Sequence, residues 1–441
     1  MKTKKAAAII ILSYFSLKAS AQFKKENFNF HYQTTVVTQK NFKSKKPLIN
    51  PYSYTFGTKD EVATTLTTSG FSGWRIANNT EIYFNTEIAA GTGLNLARGL
   101  GGFVNGESFR VSNPAPAFYI ARVYLNHYFP LTAERENLND GINQVKGSRP
   151  QKYIRVLAGK LAMTDFFDNN TYSHDSRTQF FNWALMSSGA WDYPANTRGY
   201  TVGAMIEYRN TPKNVAYRFA WSLPPSTANG HKLDYNIQQA MCYTGEVERK
   251  FSLFKKDITI RALAFVNRAM MGVYTDATPI ISQTPPYIIL QHNNYHIKYG
   301  YSINSEIKLN DWSGVFMRAG YNDGKTETWV FTEIDGSVSL GYAANGKKWK
   351  RKDDYCGIAV LANTLSHEHQ NYLKAGGYGF MLGDGSLNYA PEMIAEIYYN
   401  FALFNGPIFV SPNYQIIINA GYNKDNHAPN HVIGARVHVR F

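Results

Sequence analysis

The last ten residues, Val432 to Phe441, alternate without a break: Ile433, Ala435, Val437, Val439 and Phe441 project one way, while Gly434, Arg436, His438 and Arg440 project the other. A side-chain period of two defines a strand with one apolar face and one cationic face. In a soluble sandwich the cationic face would meet bulk water. A closing strand of this kind in a chain that carries an export signal fits a membrane barrel better, with the apolar row against lipid and the basic row along a wet lumen.

The export signal is read at the other end. Lys2, Lys4 and Lys5 form a positive region, Ala6 to Leu17 an apolar stretch, and Ala19-Ser20-Ala21 a small-residue cleavage site, so residues 1–21 are expected to be removed and Gln22 to begin the mature chain. The apolar stretch is shorter than the roughly 20 residues that a spanning helix requires. No later segment reaches that length without charge, so a membrane passage has to be made by strands, and only a closed barrel satisfies every backbone group in lipid.

Composition is compatible with this. Hydrophobic residues make up 44%, too few for a helical membrane protein but natural for strands that turn half their residues to water. The 31 Tyr and 27 Phe can furnish two interfacial aromatic belts. Cys242 and Cys356 have no spacing motif and read as small apolar fillers; nothing in the sequence supports a disulfide between them. The formal charge is +14, and removing the four signal-segment lysines, Lys2, Lys4, Lys5 and Lys18, leaves +10 on residues 22–441. Export excludes nucleic acid as a sensible partner, and the positive residues recur at alternate strand positions, which places them in the lumen.

The mature chain reads as one domain of alternating runs separated by Gly, Asn, Asp and Pro. The clearest is His296 to Leu309, with Ile297, Tyr299, Tyr301, Ile303, Ser305, Ile307 and Leu309 on one face and His296, Lys298, Ser302, Asn304, Glu306 and Lys308 on the other. Similar runs begin near Phe28, Glu81, Phe118, Lys152, Tyr200, Val215, Tyr243, Asp257, Ser313, Asp335, Asp354, Glu392 and Asn413, with a weaker one around Val62. With the final strand the total is about sixteen, which predicts an all-β, transmembrane antiparallel barrel in the porin range. A barrel that wide leaves an aqueous channel and needs a filter. Two stretches, Ala90 to Pro116 and Met163 to Gly199, are too long and irregular to be turns and are expected to fold inward, the second with a short helix around Thr178 to Met186.

Within these insertions, Arg98-Gly-Leu-Gly-Gly-Phe-Val-Asn-Gly-Glu107, then Asp165-Phe-Phe-Asp-Asn-Asn-Thr-Tyr-Ser-His-Asp-Ser-Arg-Thr-Gln-Phe-Phe-Asn-Trp-Ala-Leu185 and Gly189-Ala-Trp-Asp-Tyr-Pro-Ala-Asn-Thr-Arg-Gly199 resemble the carbohydrate-selective porin family of the OprB type. The later blocks Leu365-Ser-His-Glu-His-Gln-Asn-Tyr-Leu-Lys-Ala-Gly-Gly-Tyr-Gly-Phe380 and Gly383-Asp-Gly-Ser-Leu-Asn-Tyr-Ala-Pro-Glu392 extend the resemblance over most of the mature chain. It implies a sixteen-stranded outer-membrane barrel through which small sugars diffuse, commonly as a monomer, with a trimer as the alternative. Val104 departs from the family, which commonly has proline after the phenylalanine.

A sugar presents hydroxyls on its rim and a C–H face, so a selective constriction needs aromatic rings for the face and charged donors and acceptors to replace lost water. Trp183 and Trp191 lie in the long insertion beside Arg177, Asp192 and Arg198. Glu107 and Arg110 in the first insertion add an acid and a base, and Glu87 shares a strand face with Tyr83 and Asn85. Arg122, Tyr124 and Asn126 alternate with Ala121, Val123 and Leu125 and are assigned to the lumen, as is Arg155. The plainer readings are that the tryptophans pack the loop, that Arg177 and Arg198 pin it to carboxylates, that Arg122 and Arg155 only set the field, and that Glu107 accepts from loop amides.

Two other constellations carry less. His367-Glu368-His369 places two imidazoles at i and i+2, a chelating spacing on a strand, but no third ligand is near and helix-like Gln370 to Ala375 follows. Ser173, His174 and Asp175 raise the question of a barrel-borne hydrolase, although adjacent residues do not make a triad unless the fold turns them onto one another. The functional readings are thus a passive sugar pore in the outer membrane, an anion or acidic-oligosaccharide pore suggested by Arg436, His438 and Arg440, and a hydrolase. A downhill pore needs no cofactor, no metal and no energy source; its partners are small sugars and outer-membrane lipid.

Overall fold

The computed structural model describes residues 25–44, 53–108, 114–278, 288, 292–404, 406–426 and 428–441. The expected export signal, and Arg110 among the candidate site residues, lie outside them. Eighteen strands occur in chain order: β1 (Phe28–Asn41), β2 (Glu61–Ala77), β3 (Thr80–Gly91), β4 (Ala117–Pro130), β5 (Arg135–Leu138), β6 (Gly147–Pro150), β7 (Lys152–Leu161), β8 (Thr201–Asn210), β9 (Val215–Ser222), β10 (Met241–Leu253), β11 (Lys256–Ala269), β12 (His296–Lys308), β13 (Ser313–Asn322), β14 (Gly336–Gly346), β15 (Arg351–Thr364), β16 (Glu392–Leu403), β17 (Ile408–Ile418) and β18 (Asn430–Arg440). Sixteen of them form a closed barrel of antiparallel neighbours, and β5 and β6 pair separately as a small hairpin. Closure comes from β1 against β18, in the register Gln33 opposite Arg440 and Val37 opposite Arg436. Tyr32 and Phe441 exchange two backbone hydrogen bonds of 3.1 and 2.9 Å at the end of that seam.

Alternation decides which face each residue takes. On β12, Ile297, Tyr299, Tyr301 and Ile303 are exposed on the outside, whereas Lys298, Ser302, Asn304 and Glu306 are buried inside. Because the described helices are too short and polar to cross a bilayer, the strands make the passage. Outward aromatics form two belts, one near the turn end with Phe28, Trp74 and Phe129, the other near the loop end with Phe118, Tyr299 and Tyr321.

The two rims differ. At one end the strands are joined by short turns, including the two-residue Phe254–Lys255 connection in which both residues take positive φ, 51° and 59°, as a tight hairpin demands. The excess positive charge collects there: Lys255, Lys256, Lys347, Lys348 and Lys350 are all exposed. That corrects the expectation of a cationic lumen. At the other end lie long loops, and they fold inward to fill much of the bore with a shared core that includes Phe103, Trp183, Trp191, Trp329, Phe331 and Met381. Helices α1 (Trp183–Met186), α2 (Tyr274–Ala277) and α3 (His367–Lys374) belong to these loops, the first being shorter than the sequence suggested.

Polar wall residues fasten the loops. Glu246 accepts from the Asp168 amide at 2.6 Å, Glu306 from Thr171 at 2.6 Å, and Glu396 from Phe181 and Asn182 at 2.6 and 3.0 Å. Buried Arg318 donates to the carbonyls of Asp168, Ser173 and Leu185, and Arg436 to those of Ser176 and Gln179. Arg436 is 0% exposed and His438, bonded to Thr35 at 2.9 Å, is buried too, so these two do not line a wet passage as their alternation predicted. A buried donor must find an acceptor, and the loop carbonyls supply it.

Candidate functional site: the bore constriction

Among the described residues, three cavities inside the bore adjoin one another through shared lining residues. The smallest, about 30 Å3, lies among the inward loops and is lined by Trp183, Met186, Tyr193, Gly199 and Phe331. It shares Met186, Tyr193 and Gly199 with a central cavity of about 270 Å3. The central cavity in turn shares Ile142, Asn143, Asp165 and His174 with a third, of about 320 Å3, toward the turn end.

The central cavity gathers Arg122, Arg177 and Arg198 with Glu107, Asp165 and Asp175, and adds the rings of Phe71, Tyr193 and Tyr200. Each charge is placed by its element. Arg122 enters through a β-bulge: β3 and β4 shift register between Asn85 opposite Arg122 and Thr86 opposite Ile120, so Ala121 is passed over. Ala121 and Arg122 therefore both turn inward, and Ala121 is buried rather than facing lipid as strict alternation had it. Arg122 then grips Asp165 with two bonds of 2.6 and 2.7 Å and lies over the Tyr200 ring at 5.1 Å.

Arg177, on the long loop, bridges two acids, Glu107 at 3.0 Å and Glu87 at 3.1 Å. Glu87 also accepts from Tyr119, from Ser69 at 2.8 Å and from Tyr200 at 3.1 Å, so it is a fully engaged hub. Burial pushes the Glu107 carboxyl up and the Arg177 charge pulls it back, while the two acids hold the guanidinium firmly charged. Glu107 takes its bonds from the Arg177 and Ser176 side chains; the loop amides go to wall acids instead. Arg198 lies 4.3 Å over the Tyr119 ring.

The remaining candidates divide. Tyr124 packs on Tyr83 at 5.2 Å, and Arg155 donates to Asn126 at 2.5 Å and faces Glu207 at 3.6 Å; both line the turn-end cavity. Trp183 lines the smallest cavity, its ring 5.8 Å from Phe331. Trp191 is 1% exposed, packed on Phe167 and Tyr193, and lines none of these three cavities. Asp192 is spent on the amides of Trp329, Val330 and Phe331 at 2.8 to 3.1 Å, clamping one loop to another. Asp165, Tyr193 and Tyr200 were not singled out from the sequence, though they flank or lie within the quoted blocks. Ile142 and Asn143 lie between β5 and β6, outside the quoted blocks.

The two other constellations resolve differently from their sequence patterns. His367 and His369 sit on α3, where i and i+2 point to different sides. His369 is buried against Asp335 at 2.9 Å and stacks on Tyr274, and among the described residues no group of three or more His, Cys, Asp or Glu could hold a metal. The Ser173 hydroxyl donates to the Leu185 carbonyl and is not hydrogen-bonded to His174. Cys242 and Cys356 are both free thiols.

A closed sixteen-stranded barrel, narrowed by its own inward loops to a charged constriction, defines a porin-type channel. Residues 72–441 match the model of the carbohydrate-selective porin, OprB family, and the chain belongs to that family of outer-membrane channels. The fold is similar to OprB of Pseudomonas putida in its high-pH structure, with a TM-score of 0.69 at 15% identity over 94% of both chains. More distant is the outer membrane channel DcaP of Acinetobacter baumannii, at a TM-score of 0.49 and 10% identity over 94% of this chain and 97% of that one. No curated protein matches the chain.

Proposed function

We propose that this protein is a passive outer-membrane channel that prefers small neutral carbohydrates, reached after export by removal of residues 1–21. The observation that carries the reading is the lining of the central cavity. Three guanidiniums and three carboxylates supply donors and acceptors around the rim of a solute, and Phe71, Tyr193 and Tyr200 supply rings for a C–H face. The charges balance in number, and the lumenal arginines Arg122, Arg155, Arg177 and Arg218 each face an acid. A balanced lining of this kind suits a neutral polar solute better than an anion. Binding at such a site has to remain weak, or solute would not leave. The constriction is built from one chain's own loops, which supports a barrel that works as a monomer.

The test is swelling of liposomes that carry the purified protein, in glucose, a maltose-sized disaccharide, an amino acid and phosphate. Faster entry of the sugars than of an amino acid of similar size is expected. Equal entry by all four would reduce the channel to a general pore, and faster phosphate entry would make it an anion pore.

A further inference from the structure

At the turn rim the connections among the described strands are short except one, residues 131–151 between β4 and β7, which carries the β5–β6 hairpin. This segment does not hang below the barrel. Its Gly141–Gln144 turn, closed by two backbone bonds of 3.1 Å, reaches up into the bore, and Asn143 at the tip takes φ of 54°, a conformation that Asn tolerates better than most residues.

The tip is held by the inner wall on three strands. From β1, Asn29 donates to Asp140 at 2.7 Å and to the carbonyls of Gly141 and Gln144 at 3.1 and 3.0 Å. From β2, Arg75, itself paired with Glu81 at 2.7 Å, donates to the carbonyls of Val145 and Lys146 at 2.8 and 2.9 Å. From β3, Asn85 donates to Asn143 at 2.8 Å. Val145 is fully buried over Gly73, where an added Cβ would come within 2.9 Å of it, so the wall has a dent shaped for this segment.

So anchored, Ile142 is 44% exposed, although it lies inside the bore. Together with Asn143 it lines both the central and the turn-end cavities, opposite Arg122, Asp165 and His174. An apolar side chain kept open to a polar passage by this many bonds to the residues on either side of it needs a reason beyond packing. We propose that residues 131–151 form the second jaw of the constriction, entering from the turn end, with Ile142 and Asn143 as specificity-determining residues. Ile142 presents a surface for the C–H face of a solute whose hydroxyls engage the charged side, and Asn143 adds an amide beside it. The assignment rests on the sugar-channel reading for its solute, but its geometry is tested separately.

The experiment is single-channel conductance in potassium chloride, with liposome swelling in glucose and a maltose-sized disaccharide, for the intact mature protein and for Ile142→Trp, Ile142→Ala and Gly73→Val. Ile142→Trp is expected to lower conductance severalfold and to slow the disaccharide more than glucose. Ile142→Ala and Gly73→Val, which trims or displaces the jaw, are expected to raise conductance and to narrow the difference between the two sugars. Conductance and swelling unchanged in all three, with each variant still heat-modifiable on gels as a folded barrel, would overturn the proposal. If a variant does not fold, Ile142→Cys gives the second measurement. Stepwise loss of current on adding a charged methanethiosulfonate, absent in the wild type with its own two thiols, supports the jaw; no loss overturns it. Protection of that cysteine by disaccharide but not by an amino acid would tie the jaw to sugar. A wild type without sugar preference, combined with a conductance response at Ile142, would sink the proposed function and leave the jaw standing.

Discussion

Arg122 and Asp165 meet through two bonds of 2.6 and 2.7 Å, one partner aimed by a strand bulge and the other by the turn that leaves β7. The pair neutralises a cation at the centre of the bore while leaving both residues on the cavity wall. Bidentate geometry makes it stronger and more rigid than a surface ion pair.

Replacing Asp165 by Asn should release that charge. The constriction then carries one more net positive charge, and reversal potentials across a salt gradient should shift toward anion selectivity. The shift should shrink as ionic strength rises and the screening length falls below about 10 Å. No change in reversal potential would mean that ions pass elsewhere.

Arg177→Met leaves Glu87 and Glu107 facing each other without their shared cation. Removing one partner of a buried pair costs about 3 to 5 kcal/mol, so the thermal unfolding midpoint in detergent should fall. Adding Glu107→Gln to Arg177→Met should restore part of the loss. If the double variant is no better than the single, repulsion between the acids is not the cause.

The two tryptophans should separate. Trp191→Ala is expected to destabilise by about 3 to 5 kcal/mol, as large-to-small changes in packed cores do, and to alter sugar preference only by loosening the loop. Trp183→Ala enlarges the smallest of the three cavities, so its main effect should be on swelling rates, with disaccharide entry gaining most. Equal effects of both on stability and transport would mean that the two rings do not differ in role.

Glu333, in the loop between β13 and β14, is pushed up to about 7 by burial, against the His369 charge and two amides that pull it down. Its carboxyl therefore holds a proton more tightly folded than unfolded. The sign follows from linkage: between about pH 4.5 and 7 the native state binds more protons at this site, so its contribution to stability is present at low pH and is lost as pH rises through 7. The difference in melting temperature between wild type and Glu333→Gln should consequently change across that window. A difference that stays flat from pH 5 to 8 would remove Glu333 as the cause.

Sixteen strands were legible because lipid and water enforce a period of two over ten or more residues, a demand that few soluble cores make. The largest offset is in β17, which begins at Ile408 although alternation suggested Asn413. The ladder with β16 lapses between Val410 and Asn413, around Pro412, but pairing with β18 carries the strand through. The bulge that turns Ala121 inward was not legible, since one extra residue leaves no mark in a hydropathy pattern. Residue type predicted a lumen for Arg436, and its burial under loop carbonyls depends on a loop some 260 positions away. For the site, the charged residues of the long insertion were found by type, and the ones spent on packing could not be told from the ones left open. The 131–151 segment did leave a signal. It is a long connection at the rim where short turns are the rule, a parity that counting strands would have exposed.

The acids that hold the long loop sit on β10, β12 and β16, strands in one contiguous run of the wall, so all three reach a single loop only because that wall is curved. Discrimination between solutes therefore rests on the bend of the sheet itself, since a flatter wall would carry these acids out of reach of one loop.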